Sequence, residues 1–176
     1  MQTSGKFIVI EGLEGAGKSS AVAILTQAIQ AAGHTVVNTR EPGGTAMAEA
    51  IRNVVKHDWL DVLGDRHDMS SQAYQGGGRQ IDQNMIESLR AITLKDFRPD
   101  FTLYMDVEPK EGLKRAKGRG ELDRIEQEEL SFFERTRKRY LLLAQQDPNC
   151  VVINTMQSMQ AVHKDVELAI TQFLEN

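Results

Sequence analysis

The sequence predicts an α/β fold in which a five-stranded parallel sheet carries helices on both faces. Short runs rich in β-branched residues alternate along the chain with stretches of helical spacing, which is typical of β-α-β units. The first run leads directly into a glycine-rich turn that opens a helix. The 176 residues suffice for one domain with a sizeable core, so we expect a single domain over residues 1–176.

Five β-rich runs are expected to form the strands. They are Lys6–Glu11, Thr35–Thr39, Asp61–Leu63, Phe101–Val107 and Val151–Asn154. Helical spacing predicts helices over Ala21–Ala32, Thr45–Lys56, Gln80–Leu94, Lys110–Ala116, Gln127–Gln145 and Met159–Leu174. In such sheets, ligands bind at the carboxyl ends of the strands.

The composition argues against several classes of protein. A formal net charge of −4 disfavours a nucleic-acid polymer as partner, because such binding usually requires a broad basic face. The single cysteine, Cys150, permits no internal disulfide and fits a reducing compartment. No stretch of the sequence has the length of a transmembrane helix or of a secretion signal. We therefore expect a cytoplasmic protein without a membrane partner.

Residues 12–19 read Gly-Leu-Glu-Gly-Ala-Gly-Lys-Ser, a complete phosphate-binding motif between a strand pattern and a helix pattern. Backbone N–H groups converge at such a turn, where the helix dipole also favours an anion. Lys18 can reach the β- and γ-phosphates, and the hydroxyl of Ser19 can ligate Mg²⁺. A chance glycine-rich turn does not explain the flanking elements. The sequence therefore predicts a nucleoside triphosphate site, with candidate residues Gly12, Glu14, Gly15, Ala16, Gly17, Lys18, Ser19 and Ser20.

Charged residues also follow the second and third predicted strands. Arg40 offers a planar guanidinium that suits phosphate oxygens, although a pair with a surface carboxylate explains it equally well. After the third strand, Asp65 can serve a metal ion and Arg66 an anion. His67 is interpreted as a packing residue, because phosphoryl transfer needs little acid–base chemistry from the protein. The triple glycine at residues 76–78 is interpreted as a permissive turn.

Two basic segments receive different interpretations. Residues 114–124 combine Lys and Arg with glycines, which favours a mobile cationic lid, at about residues 115–125, that closes over phosphates. A solvated helix end is the alternative. Residues 134–139 are interpreted as the exposed face of a helix, whose buried side is formed by Phe132, Phe133, Tyr140 and Leu141.

Together these motifs resemble the bacterial thymidylate kinase family, whose P-loop NTPase fold carries a basic lid and whose members phosphorylate dTMP with ATP. The similarity runs from Phe7 to Asn154, and its most specific pieces are residues 11–18, 39–45, 65–75 and 119–124. The Arg-Glu-Pro-Gly-Gly-Thr turn and the Ala-Tyr-Gln segment distinguish this family from other phosphate-loop proteins.

The resemblance implies an acceptor site. Arg40 and Arg66 match arginines that hold the acceptor phosphate, and Glu14 matches a carboxylate near the acceptor's sugar and phosphate. Ser71 matches a position facing the thymine edge, and Tyr74 one that disfavours a ribose 2′-hydroxyl. The full predicted dTMP set is Glu14, Arg40, Pro42, Arg66, Ser70, Ser71, Tyr74 and Gln75.

The resemblance also implies how the reaction is catalysed. The phosphate loop carries no arginine, so the chain resembles members that supply this charge from the lid, and Arg119 is the candidate. The predicted catalytic residues are Lys18, Arg119 and Arg66, and the predicted Mg²⁺ ligands are Ser19 and Asp65. ATP and dTMP are the implied partners, and a homodimer the implied assembly.

One departure from the family is large. Members carry a further helix before the third strand, with an aromatic residue and an arginine that contact thymine, whereas here this helix is missing near residues 57–61. Either the segment is deleted or it was dropped from the sequence; we favour the second, because both flanks keep their functional residues. Three alternatives to a dTMP kinase stay open: a kinase for another small acceptor, a regulatory nucleotide switch and a catalytically impaired nucleotide-binding protein.

Overall fold

The computed structural model describes residues 5–40, 61–118, 125 and 128–175. Within these ranges the chain forms a sheet with strand order β2-β3-β1-β4-β5, in which all neighbours are parallel. The strands are β1 (Phe7–Gly12), β2 (Val36–Arg40), β3 (Asp61–Asp65), β4 (Phe101–Asp106) and β5 (Cys150–Asn154). The predicted five-stranded parallel sheet is therefore confirmed.

Helices connect and cover these strands. They are α1 (Lys18–Ala31), α2 (Asp68–Ser71), α3 (Gln83–Thr93), α4 (Pro109–Lys117), α5 (Leu130–Gln146) and α6 (Met159–Leu174). Helix α1 packs against α6, and α5 packs against the segment that follows α2. The predicted helix over residues 45–56 lies outside the described residues. None of the helices that the structure describes is long and apolar enough to cross a membrane.

Strand β1 is buried along its whole length, because it lies between β3 and β4 under a layer of helices. Its apolar run is typical of a central parallel strand, with one exception, the fully buried Glu11. The core continues into α5, where the ring of Tyr140 stacks on Tyr104 of β4 with centroids 4.9 Å apart. The centre of the sheet therefore carries the phosphate loop on a rigid base.

The interpretation of residues 76–78 as a permissive turn is wrong, because these glycines end a π-helical segment, Gln72–Gly78, that packs against α5. A Cβ atom on Gly77 would lie 2.7 Å from Cβ of Arg139, and one on Gly78 would lie 2.5 Å from the ring of Phe132. The glycines thus permit a close approach of two helical backbones. π-Helical turns of this kind are frequent at functional sites.

The arginines of residues 134–139 do not simply face solvent. Arg135 donates two hydrogen bonds to the backbone oxygen of Gly78, at 3.2 and 3.0 Å. Arg137 forms a two-bond pair with the carboxylate of Asp106 at the end of β4, with both distances 2.8 Å. The helix itself and its predicted buried side are confirmed, but its basic face joins neighbouring elements.

Candidate active site

The phosphate loop lies between β1 and α1, as the motif predicts. Gly15 and Gly17 have φ angles of 74° and 91°, in the left-handed region that favours glycine. A Cβ atom on Gly15 would overlap the backbone of Gly112 in α4, and one on Gly112 would lie 2.6 Å from the backbone oxygen of Glu14. The loop therefore packs directly on α4 through two glycines.

Lys18 begins α1 and turns back under the loop. Its ammonium donates hydrogen bonds to the backbone oxygens of Gly12 and Leu13, both at 3.0 Å. Burial, and after it the positive charge of Arg66, lowers the pKa of Lys18 to about 8. An anion bound in the loop would favour the protonated form, so Lys18 is suited to holding phosphate oxygens.

Three side chains form a connected network beside the loop. Arg66 Nη2 donates to Glu14 Oε1 at 2.7 Å, and the hydroxyl of Tyr74 donates to Glu14 Oε2 at 2.6 Å. The Arg66 guanidinium also lies over the Tyr74 ring, 5.1 Å from its centroid. Charge-assisted bonds of this kind fix a guanidinium that can receive an anion in two-bond geometry.

The backbone of Arg66 is held in an unusual conformation. Its φ angle is 70°, which L-residues other than glycine adopt at a cost of about 1–2 kcal/mol. The surrounding structure fixes it, since the Arg66 N–H donates to the backbone oxygen of Ile10 at 2.9 Å. Such backbone strain is concentrated at functional sites.

The other predicted residues lie around this network with different exposures. Ser19 and Ser20 are exposed at the start of α1, and Ser71 is exposed at the end of α2. Ser70 is buried, and its hydroxyl bonds within the protein. Gln75 is half-buried and accepts a hydrogen bond from Arg79 at 2.8 Å.

The remaining predictions concern neighbouring strand ends and the lid. Arg40 ends β2 in register with Asp65 of β3. Pro42 and Arg119 lie outside the described residues. His67 packs its ring against Phe7, with centroids 5.2 Å apart, so its predicted packing role is confirmed.

The donor set suits magnesium that arrives with a nucleotide. Ser19 and Asp65 provide a hydroxyl and a carboxylate, which are hard oxygen donors. No group of three His, Cys, Asp or Glu side chains able to hold a metal occurs among the described residues. Mg²⁺ usually keeps several waters and binds one or two protein oxygens together with substrate phosphates, so no such group is required.

A cavity of about 510 Å³ opens beside the phosphate loop, between α1 and α6. Its phosphate-loop side was predicted to bind ATP, whereas the residues that α6 contributes were not predicted from the sequence. Arg115 reaches it from α4, where Glu111 and the backbone oxygen of Thr155 accept its hydrogen bonds at 3.2 and 3.0 Å. The lining includes Gly17, Ile24, Arg115, Thr155, Val162 and Val166.

Comparisons with known proteins agree with this geometry. The family model for thymidylate kinase matches residues 10–62 and 57–166. The chain is 50% identical to the thymidylate kinase of Alteromonas mediterranea, in an alignment that covers 97% of this chain and 91% of the relative. It is 48% identical to the thymidylate kinases of Idiomarina loihiensis and Vibrio parahaemolyticus, covering 97% and 96% of this chain and 99% and 96% of those relatives.

The same comparisons locate a difference in length. The alignment with the Alteromonas protein extends over 202 positions, more than the 176 residues of this chain, so that relative carries residues without a counterpart here. The two matched parts of the family model meet and overlap at residues 57–62.

Proposed function

Since the chain belongs to the thymidylate kinase family of nucleoside-monophosphate kinases, we propose that it transfers the γ-phosphoryl group of ATP to dTMP. The observation that carries the proposal is the juxtaposition of a complete phosphate loop with the network of Glu14, Arg66 and Tyr74. A donor site and an acceptor site that share Glu14 place two phosphates next to each other.

On the donor side, the N–H groups of the loop and the ammonium of Lys18 hold the β- and γ-phosphates. Bound Mg²⁺, which we assign to Ser19 and Asp65, supplies charge neutralisation at the phosphates. The apolar cavity between α1 and α6 is continuous with the loop, and its volume of about 510 Å³ suits the nucleoside part of ATP. Lys18 then stabilises the charge that develops on the transferred group.

On the acceptor side, Arg66 and Arg40 hold the phosphate of dTMP in line with the γ-phosphate. Glu14 orients Arg66 through the 2.7 Å ion pair, and Tyr74 closes the pocket on the side of the sugar. Ser71 and Gln75 lie on either side of Tyr74 in the sequence, and we assign them to the base. The buried Ser70 hydroxyl, in contrast, donates to Glu11 and its oxygen accepts from Arg66, so we assign it no direct contact with dTMP. Catalysis in this arrangement is positioning and electrostatics, with no covalent intermediate.

Arg119 remains the predicted lid arginine. The predicted lid at about residues 115–125 begins within α4, where Arg115 is held by Glu111, and residues 119–124 lie outside the described residues. Closure of a basic lid would exclude water from the phosphates.

We expect the purified protein to convert dTMP and MgATP to dTDP and ADP. The measurement is coupled ADP release with dTMP, dUMP, UMP, CMP, AMP and GMP as acceptors. Preference for another acceptor contradicts the assignment to dTMP. Absence of turnover together with normal ATP binding would favour the impaired nucleotide-binding protein, and would attribute the defect to the segment that relatives carry near residues 57–62. An intact mass well above 19.7 kDa would show that the protein contains this segment although the 176-residue sequence omits it.

We propose that the protein is a homodimer that uses one face of α3. Met85, Leu89 and Ile92 recur at helical spacing, with 58%, 56% and 73% of their surface exposed. Exposed apolar stripes of this kind mark interaction surfaces, and a symmetric dimer buries the same stripe on both copies.

Leu89→Glu is expected to convert the dimer to a monomer at micromolar concentration, because a carboxylate in an apolar interface loses its hydration. Light scattering coupled to size-exclusion chromatography measures the mass. Leu168→Glu, at an exposed leucine of α6, is the matched control and should leave the mass unchanged. A wild-type monomer, or a Leu89→Glu dimer, contradicts the proposed interface.

A further inference from the structure

Glu11 is a carboxylate near the carboxyl end of the apolar strand β1, and the phosphate-binding motif does not account for it. It is fully buried on β1, and its carboxylate contacts Ser70 of α2 and Tyr140 of α5. Burial raises the pKa of Glu11 to about 7, although the hydrogen bond from Ser70 opposes this shift. A buried carboxylate costs stability compared with an apolar side chain, so its surroundings show what it does instead.

Four donors converge on the two oxygens of Glu11. Oε1 accepts the backbone N–H groups of His67 and Ser70, at 2.7 and 3.2 Å. Oε2 accepts the hydroxyl of Ser70 at 2.5 Å and that of Tyr140 at 3.1 Å. The carboxylate therefore joins the centre of the sheet to both ends of α2 and to α5.

Two consecutive residues of β1 bind the backbone at Arg66. Ile10 accepts the N–H of Arg66, and Glu11 accepts the N–H of the next residue, His67. The Ser70 hydroxyl donates to Glu11, so its oxygen is free to accept from Arg66 Nη1, at 3.4 Å. Glu11 thus fixes the backbone directly after Arg66 and, through Ser70, contacts its guanidinium.

We propose that Glu11 is a positioning residue that holds Arg66, in its left-handed backbone conformation, in the geometry required to receive the acceptor phosphate. Glu11 itself is buried and touches no substrate. It acts through two paths, the backbone N–H groups of His67 and Ser70 and the hydroxyl of Ser70. This inference rests on the proposed function, because that function makes Arg66 the ligand of the acceptor phosphate.

Steady-state kinetics of Glu11→Ala and Glu11→Gln test the proposal. Glu11→Ala removes all four hydrogen bonds that the Glu11 carboxylate accepts. It is expected to raise KM for dTMP about tenfold or more, while KM for MgATP changes less than about twofold. Glutamine keeps one oxygen for the two N–H groups and can donate to the hydroxyls, so Glu11→Gln should restore most of the lost acceptor affinity. Equal rises in both KM values, or no rescue by glutamine, would overturn the proposal.

Two hydroxyl deletions provide a milder pair in case Glu11→Ala does not fold. Ser70→Ala removes the path from Glu11 to the guanidinium and should raise acceptor KM about threefold or more. Tyr104→Phe removes another buried hydroxyl, one that donates to Asp106 at 3.1 Å, and should leave acceptor KM unchanged. Equal effects of the two variants would assign the result to general loss of packing.

Amide hydrogen exchange separates this inference from the proposed function. In the wild-type protein the N–H groups of His67 and Ser70 should be protected, and Glu11→Gln should retain that protection. In Glu11→Ala, or in Glu11→Leu if alanine prevents folding, exchange at His67 should accelerate at least tenfold while the amides of α1 are unaffected. The effect at Ser70 should be smaller, because its N–H also donates to the backbone oxygen of His67 at 3.0 Å. If the wild-type protein phosphorylates no acceptor but shows this pattern, the proposed function fails and Glu11 still holds the segment. Unchanged exchange at both positions would overturn the role of Glu11 whatever the activity.

Discussion

Lys18→Ala is expected to lower kcat about a hundredfold or more, the scale typical of losing one group that stabilises a transition state. The ammonium lies under the phosphate loop, 3.0 Å from two of its backbone oxygens, and is the one cation of the motif at residues 12–19. Coupled ADP release at saturating dTMP and MgATP measures the change. The fold should survive, because Lys18 contributes a side chain to the loop and none to the apolar core.

Lys164→Ala serves as the matched control for this variant. Lys164 is an exposed lysine of α6, and its removal changes the net charge by the same amount. Its kcat should stay within about twofold of the wild-type value. Near-normal turnover of Lys18→Ala would mean that the loop is not the catalytic phosphate site.

The sheet and the phosphate loop were predictable because their signals are local. Parallel strands buried on both faces appear as short apolar runs, and a glycine-lysine-serine turn between a strand and a helix has few other structures. The observed β3 extends to Asp65, two residues beyond the predicted end, because polar residues that follow the apolar run still pair with β1. Strand pairing depends on the neighbouring strand, which the sequence of β3 alone does not contain.

The contacts of α5 were not predictable, because they join residues far apart in the chain. From the sequence, Gly77 and Gly78 were interpreted as part of a turn. The structure shows that Arg139 and Phe132 of α5 pack against them. The role of Glu11 has the same origin, since its donors lie 56–129 positions away along the chain. The sequence did contain one clue, a carboxylate within an otherwise apolar strand.

Arg66→Gly is expected to lower kcat/KM for dTMP about a hundredfold, with KM for MgATP changed less than about threefold. Glycine is the informative replacement because the φ angle of residue 66 is 70°, where alanine would keep the strain and glycine relieves it. The loss can then be attributed to the guanidinium, whose partners Glu14 and Tyr74 remain bonded to each other. Arg66→Lys, which keeps the charge but not the planar fork, should recover only part of the activity.

Arg98→Ala is the control, since the exposed Arg98 bonds only to nearby backbone oxygens among the described residues, and its kinetics should match the wild type. A rise in KM for MgATP equal to that for dTMP would contradict the placement of Arg66 on the acceptor side.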